Sequence, residues 1–218
     1  MLQKCSRTLS KLIVLGVGSD EYNPEVIEYG LVIILGTFIK FATIIALSFI
    51  LNTFAETMIS LASYVLIRHF AGGAHLKTYS MCFVAGVFMF SINGLVAKHA
   101  ALPLSLLIFI TDAVLMLGLF ITLNWVPAGT EKKVVHDVRI RQRLQCITMI
   151  LLGVLGVVAS LLFFAGQRTY LMALFLGALE ELFFITPAGY KLLNARFVGG
   201  ENHAGEDGYH GERSDMRG

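Results

Sequence analysis

The residues most capable of chemistry lie in one short stretch. Within fifteen positions occur an arginine, two adjacent glycines, a histidine and a cysteine: Arg68, Gly72, Gly73, His75 and Cys82. A cysteine attacks a carbonyl carbon as its thiolate, which a nearby histidine or a helix N-terminus stabilises. Adjacent glycines let backbone N–H groups point at a developing oxyanion. The combination indicates thiol-protease chemistry, although each residue alone also fits a helix cap, a turn, a surface position or small apolar filler.

The spacing of His75 and Cys82 requires a break in the helix between them. In one continuous helix they would share a face but lie about 10 Å apart along the axis. A hydrogen bond between a base and its nucleophile cannot span that distance. We therefore expect the chain to leave the helix between residues 72 and 77. Thr78 or Ser80 should then cap a new helix that holds Cys82 near its positive end.

This stretch resembles the accessory gene regulator B (AgrB) family of Gram-positive bacteria, which are membrane cysteine endopeptidases that process and cyclise quorum-sensing peptide precursors. The resemblance rests on the pattern R-x-x-x-G-G-x-H, which begins at Arg68, and on a cysteine seven positions after the histidine. It extends to the order of the apolar segments and to a Pro- and Lys-containing loop at 126–133, and it covers roughly residues 1–190.

The resemblance implies a mechanism for the central pair. His75 would act as the base toward Cys82, and the thiolate would attack a carbonyl of a precursor peptide. An internal Cys or Ser of the precursor would then resolve the acyl-enzyme into a thiolactone or lactone. The implied substrate is a propeptide with an amphipathic N-terminus and an acidic C-terminal tail, and the implied assembly is a homodimer.

The resemblance also suggests roles for the surrounding residues. Arg68 would bind a substrate carboxylate or a phospholipid. Gly72 and Gly73 would shape the backbone or donate to an oxyanion. Lys132 and Lys133 would hold the acidic precursor tail, or would serve only to keep their loop in the cytoplasm.

The composition indicates an integral membrane protein. Hydrophobic residues make up 56% of the 218 residues and the mean hydropathy is +0.73, well above a typical soluble domain. Apolar segments near 20 residues long predict an all-α, polytopic membrane protein with about six crossings, one of them short. The expected spans are 25–51, 54–70, 79–97, 103–124, 146–165 and 169–190. The net charge of +2 is too small to suggest binding to nucleic acid.

The chain is expected to form one membrane peptidase domain, residues 1–198, in which 54–82 is the catalytic segment. Residues 199–218 are Gly-rich and charged, which predicts a disordered cytoplasmic tail. Residues 1–18 predict an amphipathic helix lying in the plane of the membrane surface, where anionic and other lipids are its partners. Its apolar face is formed by Leu2, Cys5, Leu9, Leu12 and Ile13, and its basic face by Lys4, Arg7 and Lys11.

Basic residues predict the orientation. The segment 127–145 contains Lys132, Lys133, Arg139, Arg141 and Arg143. Such clustering is typical of cytoplasmic loops. Both ends of the membrane domain are also basic, so both termini should be cytoplasmic. With six crossings, the catalytic segment then lies at the cytoplasmic face of the cell membrane, where reducing conditions keep a thiol free.

The three cysteines are Cys5, Cys82 and Cys146. They are odd in number and widely spaced, which fits neither a disulfide framework nor a metal site, and we expect neither a metal ion nor a cofactor. A second set of residues concerns helix packing. One face of segment 54–70 is formed by Glu56, Ser60, Ser63 and Ile67. This face predicts either the lining of a groove or close packing between membrane helices.

Ionisable residues within the spans leave other interpretations open. Lys40 lies near the middle of the first span, and we expect it to approach Glu180 or Glu181 in the last span. An ion-coupled transporter or channel would instead use Lys40, Asp112 and the two glutamates as an ion path. The glutamate pair also resembles that of the CPBP intramembrane proteases, but Ile185 stands where those enzymes have an arginine.

Overall fold

A computed structural model describes residues 2–17, 24–74, 76, 78–100, 102–129 and 137–193. These residues form eight helices, and within them the only β-type pairing is an isolated bridge between Gly72 and Ala128. The helices are α1 (Leu2–Val17), α2 (Pro24–Ile50), α3 (Phe54–Ala71), α4 (Tyr79–His99), α5 (Leu104–Trp125), α6 (Val138–Phe164), α7 (Arg168–Ile185) and α8 (Pro187–Leu192). The tail at 199–218 lies outside the described residues.

Four of these helices, α2, α4, α5 and α6, are long and apolar enough to cross a membrane. Their outer faces expose large apolar side chains, among them Phe38, Phe88, Phe109 and Leu161. In water such faces would be unfavourable, whereas hydrocarbon solvates them. The prediction of an all-α polytopic membrane protein is confirmed. The helices α3 and α7 are not among the four, so the count of six crossings stays a prediction.

The centre of the molecule is the contact between α3 and α7, which pack more extensively than any other pair of helices. Small residues allow this close approach. A Cβ added at Gly177 would overlap the backbone oxygen of Ser60 and the hydroxyl of Ser63. Ser60, Ser63 and Ile67 are buried, with Thr57 beside them. Of the two alternatives for this face, close packing is the one that occurs, and the expected groove is wrong.

The N-terminal helix is confirmed, and it packs on α2 through a face that the amphipathic pattern does not mark. Ser6 and Ser10 are buried, while Leu12 and Ile13 are 60% and 41% exposed. Arg7 forms an ion pair with Glu28 of α2 at 3.3 Å. Leu12 and Ile13 of the apolar face therefore stay open, as a helix lying on a membrane surface requires.

Two predicted boundaries are wrong, and both have a local cause. The loop expected at 127–145 ends earlier, because Asp137 caps α6 by accepting a hydrogen bond from the backbone N–H of Arg139 at 2.8 Å. Arg139 and the arginines that follow it therefore lie on a helix. The last span ends at Ile185 rather than at 190, because Thr186 caps the short helix α8, which begins at Pro187.

Candidate active site

The break expected in the catalytic segment is present. Helix α3 ends at Ala71 and α4 begins at Tyr79. Thr78 is the N-cap of α4, and its hydroxyl accepts a hydrogen bond from the backbone N–H of Met81 at 3.3 Å. Cys82 is the fourth residue of α4, and its backbone N–H donates to the oxygen of Thr78 at 3.1 Å. The predicted cap at Thr78 is confirmed, and the Cys82 thiol lies at the helix end that attracts negative charge.

The two glycines at the break have backbone conformations that other residues rarely adopt. Gly72 has φ +75° and Gly73 has φ +137°. Their N–H groups already have acceptors inside the protein, since Gly72 donates to the oxygen of Arg68 at 3.1 Å and Gly73 to that of Ala128 at 3.0 Å. An oxyanion would have to displace one of these bonds. The geometry therefore favours the backbone-shape alternative over oxyanion donation.

The start of the loop after α5 is fastened to this break. The N–H of Ala128 donates to the oxygen of Ala71 at 2.8 Å, which completes the bridge with Gly72. A Cβ at Gly72 would overlap the backbone oxygen of Ala128, so the bridge needs glycine there. This contact ties the catalytic segment to the loop that continues toward Lys132 and Lys133. Those two lysines lie outside the described residues.

Arg68 has partners other than those expected. Its Nη1 donates to both carboxylate oxygens of Glu181, at 3.3 and 3.2 Å, and its Nη2 donates to the backbone oxygens of Gly73 (3.2 Å) and Ala74. The Arg68 side chain is 15% exposed and that of Glu181 is 0% exposed. Both Nη groups of Arg68 are engaged within the protein, which favours a structural role for Arg68 over the predicted binding of a substrate carboxylate or a phospholipid.

The Arg68 contacts form a clamp on the break. Glu181 on α7 holds the guanidinium, and the guanidinium holds the carbonyls of the two residues directly before His75. The Tyr64 ring lies beneath it, with Arg68 Cζ 5.9 Å from the ring centroid. His75 itself lies outside the described residues. The clamp therefore sets the backbone path of Gly73 and Ala74, the two residues that precede the histidine.

The expected pairing of Lys40 with a glutamate is wrong. Glu181 is bound to Arg68, and Glu180 accepts a hydrogen bond from Asn93 at 2.8 Å. Lys40 instead donates to the sulfur of Cys82, with Nζ and Sγ 3.6 Å apart. The reason is that α2 packs on α4 rather than along α7, which brings Lys40 to Cys82 and not to a glutamate. Sequence reasoning placed Lys40 at the depth of the glutamates but could not choose its neighbouring helix.

The residues of the alternative ion path do not converge. Asp112 is exposed on α5, Lys40 contacts Cys82, and Glu180 and Glu181 face separate partners. Within the part of the chain that the structure describes, no group of three His, Cys, Asp or Glu residues lies close enough to hold a metal ion. Of the two cysteines whose surroundings are described, Cys146 is exposed, whereas Cys82 is half-buried beside a cation.

Comparison with known proteins agrees with the motif. The model of the Accessory gene regulator B family matches residues 4–185. The chain is 28% identical, over 82% of its length and 84% of the relative's, to an AgrB-like protein of Listeria monocytogenes serotype 4a. It is 23% identical to AgrB-like protein 2 of Clostridium perfringens strain 13, over 66% of this chain and 69% of that one.

A third relative is Accessory gene regulator protein B of Staphylococcus aureus strain MRSA252, which is 28% identical over 48% of this chain and 54% of its own length. No solved structure matches the chain. Because the family model spans most of the sequence, including the whole catalytic segment, this chain belongs to the Accessory gene regulator B family of membrane proteins, which takes part in accessory gene regulator quorum sensing.

Proposed function

We propose that this protein is a membrane cysteine endopeptidase that cleaves a quorum-sensing propeptide and releases a cyclised product. The observation that carries the proposal is the position of Cys82. It lies in the first turn of α4, directly after the break that contains the Gly-Gly-x-His sequence, with a lysine ammonium 3.6 Å from its sulfur. A thiol at a helix N-terminus beside a cation is in the environment that favours the thiolate.

The proposed reaction has two acyl transfers. His75 takes the thiol proton of Cys82, and the thiolate attacks a carbonyl carbon of the precursor. The C–N bond then breaks, His75 protonates the departing amine, and the N-terminal part remains as a thioester on Cys82. An internal Cys or Ser of the precursor attacks this thioester, loses its own proton to His75 and releases the Cys82 thiolate. Exchange of one thioester for another needs no ATP, and exclusion of water favours cyclisation over hydrolysis.

The clamp supports this chemistry indirectly. The path of the chain just before His75 is held by the Arg68 contacts with Glu181 and with the carbonyls of Gly73 and Ala74. A base must stay within hydrogen-bond reach of its nucleophile, which is about 2.6–3.2 Å. We therefore assign Arg68 a positioning role in place of substrate binding. The bridge between Gly72 and Ala128 also holds the start of the loop after α5 beside the site. Lys132 and Lys133 follow in this loop and would bind the acidic tail of the precursor.

The proposal includes an orientation and partners. The catalytic segment and both termini lie on the cytoplasmic side, where the propeptide is made, and the protein acts as a homodimer among membrane lipids. The arginines at the start of α6 support this orientation. An impermeant maleimide should then label a cysteine placed at Gly129 only after cells are opened, and labelling of intact cells would contradict the orientation.

The decisive experiment is processing of a cognate precursor by the reconstituted enzyme, followed by mass spectrometry. Cys82→Ala should eliminate cleavage and the covalent adduct, because no other group forms the acyl-enzyme. His75→Ala should lower the rate by about 100-fold or more, the usual scale of general acid–base catalysis. Cys146→Ala is the matched control, since Cys146 is an exposed cysteine on α6 and should be dispensable. Parental processing by Cys82→Ala, at equal protein abundance, would overturn the proposal.

A further inference from the structure

Lys40 of α2 and Cys82 of α4 meet across two helices that are distant in sequence. The Nζ of Lys40 lies 3.6 Å from the Sγ of Cys82 and is positioned to donate to it. Among the described residues, no carboxylate lies within 4 Å of the Lys40 ammonium; the ion pairs found there are Arg7 with Glu28 and Arg68 with Glu181. An ammonium in a membrane-spanning helix is costly unless a partner compensates its charge. Its one described hydrogen-bond partner is the proposed nucleophile.

The contact follows from two reciprocal notches in the helix pair. On α4, Gly86 lies one turn after Cys82, and a Cβ there would overlap the end of the Lys40 side chain. On α2, Gly36 lies one turn before Lys40, and a Cβ there would lie 2.5 Å from the ring of Tyr79. The Tyr79 hydroxyl donates to the oxygen of Gly36 at 2.8 Å. Each helix thus has a glycine that receives a long side chain of the other, which sets both the spacing and the register.

We propose that Lys40 is a catalytic residue whose ammonium stabilises the thiolate of Cys82. The inference rests on the proposed function and adds a third group to the His75–Cys82 pair. The thiol proton passes to His75, and Lys40 keeps its own proton throughout. The ammonium stabilises the thiolate before the C–S bond forms, and again when that bond breaks in the second transfer. An opposite charge within about 4–6 Å favours the ionised form of such a group, and low dielectric strengthens the effect.

Other groups near the sulfur do not replace Lys40. Tyr64 on α3 and Tyr79 on α4 interact electrostatically with Cys82. Both are phenols, which are neutral near pH 7 and contribute no positive charge. The helix N-terminus of α4 contributes only partial charge, which belongs to the backbone and is unaffected by substitution at Lys40. The effect of Lys40 is therefore separable by mutation.

The test measures the reactivity of the thiol directly and compares it with processing of a cognate precursor. In a Cys5→Ser, Cys146→Ser background, Cys82 of the purified full-length protein is alkylated with iodoacetamide at pH 7, and thiolate absorbance is read in the ultraviolet against Cys82→Ser. Lys40→Met should slow alkylation by about 10-fold or more, reduce thiolate absorbance and lower processing to a similar extent. Gly86→Ala, which keeps a lysine at position 40 but displaces its ammonium from the notch, should act in the same direction. Thr43→Val, which removes a hydroxyl one turn from Lys40, should leave all three readouts unchanged.

The outcomes separate this inference from the function on which it rests. Lys40→Met removes a charge from a membrane helix, so insertion should not suffer, and membrane abundance verifies this. Parental alkylation, or parental processing, by Lys40→Met would overturn the role of Lys40 and leave the assignment of Cys82 standing. Slow alkylation by Lys40→Met together with active Cys82→Ala would instead overturn the proposed endopeptidase.

Discussion

Arg68 and Lys40 are both cations within a membrane protein, but they differ in the number and kind of their partners. Arg68 is held by a buried carboxylate and two backbone carbonyls, and all of these partners belong to the protein. Lys40 has a single described hydrogen-bond partner, the sulfur of Cys82 at 3.6 Å. The Arg68 guanidinium stabilises the local fold, because moving it would break several hydrogen bonds at once. The Lys40 ammonium has one described partner, the sulfur of Cys82, and its interaction with that sulfur strengthens when the thiol loses its proton.

This difference divides the site into a rigid part and a reactive part. The rigid part is the end of α3, the glycine break and the start of the loop after α5, joined by the bridge between Gly72 and Ala128. The reactive part is the N-terminal turn of α4 and the face of α2 that contacts it. Substitutions in the rigid part should chiefly change stability, and substitutions in the reactive part should chiefly change rates.

The largest effect on stability is expected from Glu181→Leu. It leaves the guanidinium of Arg68 buried without its carboxylate, and breaking a buried pair in this way costs about 3–5 kcal/mol. Thermal unfolding of the purified protein in detergent should show a large drop in the midpoint. A double Arg68→Leu, Glu181→Leu variant should recover part of the stability without recovering processing.

The adjacent Glu180 supplies the control for that experiment. Glu180 accepts a hydrogen bond from Asn93, and a glutamine oxygen at the same place can still accept it. Glu180→Gln should therefore change the free energy of unfolding by less than about 1 kcal/mol. If Glu181→Leu lowered the free energy of unfolding as little as Glu180→Gln does, the Arg68–Glu181 pair would not stabilise the fold.

An intermediate effect is expected from Gly72→Ala. An L-residue at φ +75° is strained by about 1–2 kcal/mol, and the added Cβ would also push against the oxygen of Ala128. The free energy of unfolding should fall by about 2 kcal/mol or more, and hydrogen exchange at residues 71–74 should accelerate. Gly153→Ala is the matched control, since a Cβ there meets nothing within 4 Å and should alter stability by less than about 1 kcal/mol. Unchanged exchange in Gly72→Ala would contradict the rigid part as described.

The smallest effect on stability is expected from Lys40→Met, the substitution that should greatly slow the chemistry. The substitution removes one long contact with sulfur and no ion pair among the described residues. The free energy of unfolding should therefore change by less than about 1 kcal/mol. Thermal unfolding of this variant beside Glu181→Leu compares the two cations directly. A loss as large as that of Glu181→Leu would make Lys40 a structural residue.

Much of the framework follows from local features of the sequence. Apolar length predicted six spans, of which four are helices long and apolar enough to cross a membrane, and the alternation of apolar and basic residues predicted α1. Adjacent glycines followed by Thr78 predicted the end of α3 and the cap of α4, because left-handed backbone and N-cap preferences act within a few residues. The two boundaries at Asp137 and Pro187 were predicted wrongly because hydrophobic length placed the ends of the spans, whereas N-caps at Asp137 and Thr186 set the helix starts.

The choice of partners did not follow from the sequence. Lys40, Arg68 and the two glutamates could be placed at roughly the right depth from their positions along the spans. Depth alone allowed Lys40 to pair with either glutamate and left Arg68 free for a ligand. The helix break around the motif was therefore predictable, while the contact of Lys40 with the sulfur of Cys82 was not.

By itself the sequence determined most of the helices and the break between α3 and α4, because these depend on neighbours in the chain. Only the tertiary structure decided which partner each cation contacts, Glu181 for Arg68 and Cys82 for Lys40. Successive residues on a helix point about 100° apart, so Glu180 and Glu181 must face different neighbours. Helix rotation and the close approach allowed by Gly177 turn Glu181 toward Arg68, and the notches at Gly36 and Gly86 turn Lys40 toward Cys82.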